Sequence, residues 1–266
     1  MTKNIKLLII GKYSFISQNL YSFLKNKIRI NIVSFEKFKI LNDKVLSKYD
    51  YICNCSITKN YNNHKYKSKY DNDFFIAQKI KNLKVKYIML SSRKIYVPKS
   101  NITENSKKRA SDNYSRNKLI TEKKLFEILK EKLLILRISN LIGKLNNIKS
   151  NRKISDTFIY KFYEFKNNKA IYYKDHFKDF LSIEQFCKIF YKILQHKLVG
   201  IYNVSLGEKV YVSEILKALC KNKNIKKFIK INSKFKDNFF LKNTKLLNKI
   251  NIKISKKELL QYCYKI

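Results

Sequence analysis

Residues 5–10 form an apolar run fit for a strand buried on both faces. Phe15, Ile16, Leu20 and Leu24 then recur at helical spacing and predict a helix over 14–24. The alternation continues with strands predicted over 28–35, 49–55, 85–91 and 133–139, and helices over 71–81 and 113–130. Strands separated by helices of this length pair in parallel through right-handed crossovers, which predicts an α/β fold with a Rossmann-type doubly wound parallel sheet. The second half is less regular, with helices expected over 183–194 and 212–220 and a strand between them at 200–204. Without repeats or a Pro- or Gly-rich linker, the chain reads as a single extended Rossmann-type domain over 1–266. Its core is expected at about 1–139 plus 179–204, and a small C-terminal substrate-binding lobe at about 140–178 plus 205–266.

Composition narrows the class. Hydrophobic residues make up 45% and aromatics 14%, which suits a folded chain and not a disordered one. No apolar run reaches the ~18 residues of a membrane span, and the first run, stopped at Gly11, is too brief for a signal peptide. A cytoplasmic protein is therefore expected. The formal charge of +40 points at first to nucleic acid or an anionic surface. Only six of the 59 basic residues are arginine, however, and the lysines are spread along the chain beside abundant Asn and Ile. That pattern reads as a solvated lysine surface, able to steer phosphate-bearing small molecules, and nucleic acid is not expected as a partner. Cys53, Cys55, Cys187, Cys220 and Cys263 make no Cys-x-x-Cys pair, and His64, His176 and His196 are scattered, so no metal site is expected.

Glycine is scarce, at four in 266 residues, and each is expected where a side chain is not tolerated. Gly11 ends the first strand, Gly143 closes Arg137-Ile138-Ser139-Asn140-Leu141-Ile142-Gly143, and Gly200 and Gly207 bracket a short β-type run. Tyr114 and Lys118, four apart on a helix, share one face. A neighbouring ammonium stabilises a phenolate, which suits the pair to proton transfer.

In order along the chain, these residues resemble the extended short-chain dehydrogenases/reductases, specifically the NAD-dependent epimerase/dehydratase family of nucleotide-sugar enzymes. Leu8-Ile9-Ile10-Gly11, leading to Ser14 and Ser17, is similar to the family's opening strand, glycine-rich turn and helix start. Asp50 to Ser56 resembles a strand that runs under the cofactor, and Ser91-Ser92-Arg93-Lys94-Ile95-Tyr96 the strand that carries the catalytic hydroxyl. Tyr114-Ser115-Arg116-Asn117-Lys118 is similar to the active-site helix; Arg137-x-x-Asn140-x-x-Gly143, Lys178-Asp179-Phe180 and Gly200-Ile201-Tyr202-Asn203 complete the series.

The resemblance implies Tyr114 as acid/base, Lys118 bonded to the nicotinamide ribose, and Ser92 as a second hydrogen bond to the reacting oxygen. It implies NAD or NADP at Gly11, Ser14, Phe15, Ile16, Glu36, Cys55, Ser56, Lys59, Tyr114 and Lys118. Glu36 is expected at the end of the second strand, where an acid grips the ribose 2′-hydroxyl; Lys37 and Lys39 beside it could instead take a 2′-phosphate. Substrate contacts are expected from Ser92, Asn140 and Lys178, with Arg137 structural. Relatives that dehydrate sugars place an Asp-Glu pair after the catalytic hydroxyl, whereas here Arg93-Lys94 follows Ser92. The expectation is therefore reduction of a 4-keto nucleotide sugar or epimerisation at C4, as a possible homodimer. The alternative is a catalytically weakened nucleotide-binding scaffold or regulator of the same fold, motivated by serine at the second and third glycine positions.

Overall fold

The computed structural model describes residues 4–144, 170–220, 227–231 and 237–266. The first half runs β1 (Lys6–Ile10), α1 (Phe15–Leu24), β2 (Arg29–Val33), α2 (Phe35–Lys39), α3 (Asp43–Leu46), β3 (Tyr51–Asn54), α4 (Lys59–Asn63), α5 (Asn72–Ile80), β4 (Lys86–Ser92), α6 (Asn113–Leu129) and β5 (Leu133–Ile138). There follow β6 (Asn140–Ile142), β7 (Ala170–Tyr173), β8 (Phe177–Lys178), β9 (Phe180–Ser182), α7 (Ile183–Gln195) and β10 (Gly200–Val204). The chain ends through β11 (Val210–Tyr211), α8 (Val212–Cys220), β12 (Lys227–Lys230), α9 (Thr244–Ile250) and α10 (Lys256–Lys265).

The central sheet has six strands in the order β10-β5-β4-β3-β1-β2. The pairs β2–β1, β1–β3, β3–β4 and β4–β5 are all parallel. The chain steps outward from β1 in both directions, so the sheet is doubly wound, and the strand order reverses beside β1. Interior strands β3 and β5 are buried at every residue because helices cover both faces, which explains their unbroken apolar sequences. Leu8, Ile10, Ile52, Tyr87, Met89 and Ile135 meet Ile76, Ala77, Ile80, Leu125 and Leu129 in one core cluster. Edge strand β2 is the exception, with alternating exposure over Arg29–Val33.

That strand ends two residues earlier than the sequence pattern suggests. Ser34 turns the chain, its side chain accepting from Lys37 N at 3.2 Å and capping α2. By contrast α5 and α6 match their expected positions because each has a strong start signal. Asp71 caps α5, and Asp112 with Ser115 forms a capping box on α6.

The described residues fall into two compact units: those of 1–97, 106–138 and 190–202, and those of 98–105, 139–189 and 203–266. In the second, β6 pairs with β9 and β7 with β12 in parallel, while β8 and β11 pair antiparallel. No helix among the described residues is long and apolar enough to cross a membrane.

Candidate functional site

The turn after β1 is built around Gly11, which has φ +104°. A Cβ there would lie 2.8 Å from Cys55 C and Ser56 N, so both conformation and packing demand glycine. Gly11 N and Lys12 N donate to Val33 O at 2.8 and 3.1 Å, which docks the turn on the end of β2. Ser14 caps α1 with φ −79°, a conformation any residue adopts, so the second glycine position needs no glycine for backbone reasons. Ser17, at the third, is buried, and its hydroxyl donates to Gly11 O at 2.6 Å. The turn thus replaces glycine packing with a side-chain bond back to its own start. Phe15 and Ile16, the first residues of α1, are half-buried beside it.

Across from Gly11, the turn at Cys55–Ser56 is shaped by Asn54. Asn54 Oδ1 accepts from Ser56 N at 2.9 Å and from Ser56 Oγ at 2.6 Å, and its Nδ2 donates to Ser56 O at 3.1 Å. Asn54 Nδ2 also donates to Asp73 Oδ1 at 3.0 Å, inside the sheet–helix layer. Lys59 is exposed at the first position of α4. Glu36 lies in the first turn of α2 rather than at the end of β2; its side chain is 77% exposed and paired with Lys39 at 2.5 Å.

On α6, Tyr114 is half-buried and Lys118 is buried one turn on. Lys118 Nζ donates to Asp73 Oδ2 at 3.2 Å, with the two side chains only 6% and 5% exposed. Tyr87 OH donates to Asp73 Oδ1 at 2.6 Å, and the Tyr61 ring centre lies 5.6 Å from the ammonium. Nearby, Asp71 Oδ2 accepts from Thr121 Oγ1 at 2.6 Å and Tyr66 OH at 3.0 Å, and Tyr61 OH bonds Thr121 Oγ1 at 2.7 Å. Burial alone would push the Lys118 ammonium toward neutrality. Asp73 above all, with the phenols of Tyr61 and Tyr114 and with Asp71, outweighs it and holds the Lys118 pKa above the ordinary lysine value. Burial and the charge of Asp73 push Asp71 up, and burial does the same to Tyr61 and Tyr87.

Ser92, at the end of β4, is half-buried and accepts from Lys94 N at 3.2 Å. The Lys94 ammonium lies 5.7 Å from the Tyr114 ring centre and 3.2 Å from Asp112 Oδ2, so a cation stands beside the phenol. Behind them, Arg137 pairs with Glu122 through Nη2–Oε2 at 2.6 Å and Nε–Oε1 at 3.1 Å, and its Nη1 donates to Tyr96 OH at 2.8 Å. Ser91 Oγ donates to the same Glu122 at 2.5 Å. This buried staple fixes α6 to β4 and β5, a structural role for Arg137.

In the second unit, Asn140 Nδ2 donates to Asp179 O at 3.1 Å, and Lys178 pairs with Asp237 at 3.0 Å. Asp179 is buried with no cation paired to it among the described residues. Its Oδ1 accepts from Leu206 N at 2.9 Å and Ser139 Oγ at 2.9 Å, and its Oδ2 from Gly207 N at 3.2 Å and Leu241 N at 3.1 Å. Gly207 has φ +83°, and a Cβ there would meet the Asn243 side chain at 2.7 Å.

Among the residues singled out in the sequence, Gly11, Cys55 and Ser56 meet directly. Ser56 is linked to Lys118 through Asn54 and Asp73, two residues the motif reading passed over. Acids number only 19 against 59 basic residues, but an aspartate in the first turn of a helix also reads as a solvated residue facing the helix dipole, so the sequence carries no distinct signal for Asp73.

The model of the NAD dependent epimerase/dehydratase family matches residues 7–205. The chain is similar to UDP-N-acetylglucosamine 4-epimerase from Methanobrevibacter ruminantium M1 in complex with UDP-N-acetylmuramic acid, at 17% identity and TM-score 0.75, over 99% of this chain and 97% of that one. It is similar to a dTDP-4-dehydrorhamnose reductase from Clostridium acetobutylicum ATCC 824 at 16% identity and TM-score 0.72, over 97% and 98%. A dTDP-glucose 4,6-dehydratase from Bacillus anthracis str. Ames in complex with NAD aligns at 13% identity and TM-score 0.73, over 98% and 96%. At such identities the likeness is one of fold. No curated protein matches the chain.

Proposed function

Because the chain belongs to the NAD-dependent epimerase/dehydratase family, we propose that it acts on a nucleotide sugar, either reducing a 4-keto sugar or inverting a 4-hydroxyl by oxidation and re-reduction at C4, with Tyr114 as acid and base. The observation that carries this reading is the hydrogen-bonded chain from the turn at Ser56 through Asn54 and Asp73 to Lys118, one helical turn from Tyr114.

A dinucleotide suits the residues around Gly11. The turn needs its one glycine, the start of α1 presents N–H groups, and Ser14 tolerates its Cβ. Gly11, Ser14, Phe15 and Ile16 would hold the phosphates, with Cys55 and Ser56 beneath and Lys59 able to reach toward them. Nicotinamide, when bound, supplies or accepts the hydride. An ammonium has three donors, and the bond to Asp73 takes one of them, leaving donors for ribose hydroxyls. The Tyr114 hydroxyl moves the proton of the sugar hydroxyl, and Ser92 holds the same oxygen. Asn140 and Lys178 are assigned to the nucleotide part of the substrate; a diphosphate at Lys178 competes with Asp237.

Arg93 and Lys94 follow Ser92, and Lys94 faces the Tyr114 ring, so the carboxylate pair expected for elimination of water is missing at that place. This favours reduction or epimerisation over 4,6-dehydration. Both NAD and NADP are retained, since Glu36 points to solvent.

Incubation with NADH or NADPH and UDP- or dTDP-linked 4-keto sugars, and in parallel with NAD or NADP and the corresponding 4-hydroxy nucleotide sugars, tests the reading. Net cofactor oxidation identifies a reductase, and isomerised product without net oxidation an epimerase. Bound cofactor with neither outcome overturns the proposal in favour of a nucleotide-binding scaffold.

A further inference from the structure

Asp73 is assigned no step in the chemistry described above, yet its carboxylate takes three hydrogen bonds beside the Tyr114–Lys118 pair. Its Oδ2 faces the Lys118 ammonium and its Oδ1 takes both Tyr87 OH and Asn54 Nδ2. Lys118 sits in a buried position from which water has been removed, where an ammonium without a counter-charge would lose its proton. Asp73 lies at the second position of α5, whose start is fixed by the Asp71 cap, while Lys118 lies 45 residues on in α6. Two helices therefore meet through one ion pair, and the same carboxylate reaches back to the turn that Asn54 shapes at Ser56.

We propose that Asp73 is a positioning residue that keeps Lys118 charged and aimed, and couples it to the Cys55–Ser56 turn. The inference rests on the reading of Lys118 as the cofactor-facing cation. The titratable and charged groups facing Lys118 are Tyr61 from α4, Asp71 and Asp73 at the start of α5, and Tyr114 from α6 itself. Tyr87 of β4 and Cys53 of β3 face it through Asp73, and Tyr66 through Asp71. Asp71 is the nearest other carboxylate, but its Oδ2 is committed to Thr121 and Tyr66 and its Oδ1 to Phe74 N. Without Asp73, burial dominates and Lys118 loses its proton at a lower pH than a free lysine does.

The test is the pH dependence of NADH and NADPH binding in the full chain, read by calorimetry from pH 6 to about 10, the upper end set by the free lysine value near 10.4. Wild type binds with a flat profile. Asp73→Asn matches it near pH 6 within a few fold, then weakens at least tenfold as pH rises, and Asp73→Glu restores the flat profile. A purely structural role lowers affinity equally at every pH, and that result would overturn the proposal. Stability supplies an independent arm. Wild type keeps the full Lys118 contribution below the free lysine value near 10.4 and loses it as pH rises from there through the raised folded value, whereas Asp73→Asn gains stability as pH rises toward 10.4. If Asp73→Asn fails to fold, Asp73→Asn/Lys118→Met recovers folding, because no buried charge is left unpaired. A double variant no more stable than the worse single variant contradicts the pairing. Absence of cofactor binding in wild type defeats the functional reading alone, and the stability arm still decides on Asp73.

Discussion

Asp73 in one unit and Asp179 in the other are both buried, and they are kept there in different ways. Asp73 in the first faces the Lys118 ammonium, so its charge is matched by another charge. Asp179 in the second has four N–H and O–H donors and no cation beside it among the described residues. A dipole cage of that kind holds three segments, at Ser139, Leu206–Gly207 and Leu241, and its product is architecture. An ion pair can be redirected, because the ammonium has donors to spare and its proton is responsive to what else is bound. The contrast separates a carboxylate that builds from one that tunes.

The largest expected effect comes from breaking the cage. Asp179→Asn keeps one acceptor oxygen but turns an NH2 toward Gly207 N and Leu241 N, leaving one part-buried and one buried donor facing a donor. Unfolding by urea should show a loss of about 4 kcal/mol, at roughly 1–3 kcal/mol for each unsatisfied group. Cofactor affinity of the folded variant should be unchanged, and a matching loss of affinity would erase the distinction between the two centres.

A smaller effect, set by pH, sharpens the same contrast. Burial pushes Asp179 up to about 6 from 3.8, against the pull of its hydrogen bonds from Leu241, Leu206, Ser139 and Gly207. The folded chain therefore keeps a proton that the unfolded chain releases first. The associated stability is complete below about pH 4 and is lost as pH rises through 6, amounting to ~3 kcal/mol at most. Asp71 moves in the same direction, so the diagnostic quantity is the difference in slope between wild type and Asp179→Asn over pH 4–6. Lys118, whose folded value is raised, contributes no slope in that window. Equal slopes in the two proteins would show that Asp179 does not titrate there.

The smallest effect is expected at Glu36, an exposed acid of the first unit. Removing its pair with Lys39 by Glu36→Gln should change stability by under ~0.5 kcal/mol, as for other surface ion pairs. The ratio of NADH to NADPH affinity should shift less than twofold by titration calorimetry. A tenfold shift would return Glu36 to the ribose.

The strands and long helices of the sheet were legible because their signals are local. Unbroken apolar runs mark β3 and β5, and Asp71 and Asp112 mark where α5 and α6 begin. The apolar pattern alone carries no sign that Ser34 caps a helix, so β2 is two residues shorter than that pattern predicts and Glu36 falls in α2. The two-residue strands Phe177–Lys178 and Val210–Tyr211 carry no period of their own and exist only through pairing with each other. At the site, Gly11, Ser92, Tyr114 and Lys118 stand at motif spacing and could be found. Asp73 could not be found that way: within Asn72–Ile80 it resembles one polar residue on a solvated face, and only the packing of α5 on α6 turns it inward.

The most direct measurement is turnover and cofactor binding of Tyr114→Phe beside wild type, with whichever nucleotide sugar wild type converts. Calorimetric affinity for the nicotinamide cofactor should stay within about threefold, since Lys118 and the Gly11 turn are untouched, while kcat should fall by ~10²–10⁴ with loss of the acid/base group. Turnover preserved in Tyr114→Phe would show that the proton moves elsewhere, and the reading of Tyr114 with Lys118 as the reaction centre would be wrong.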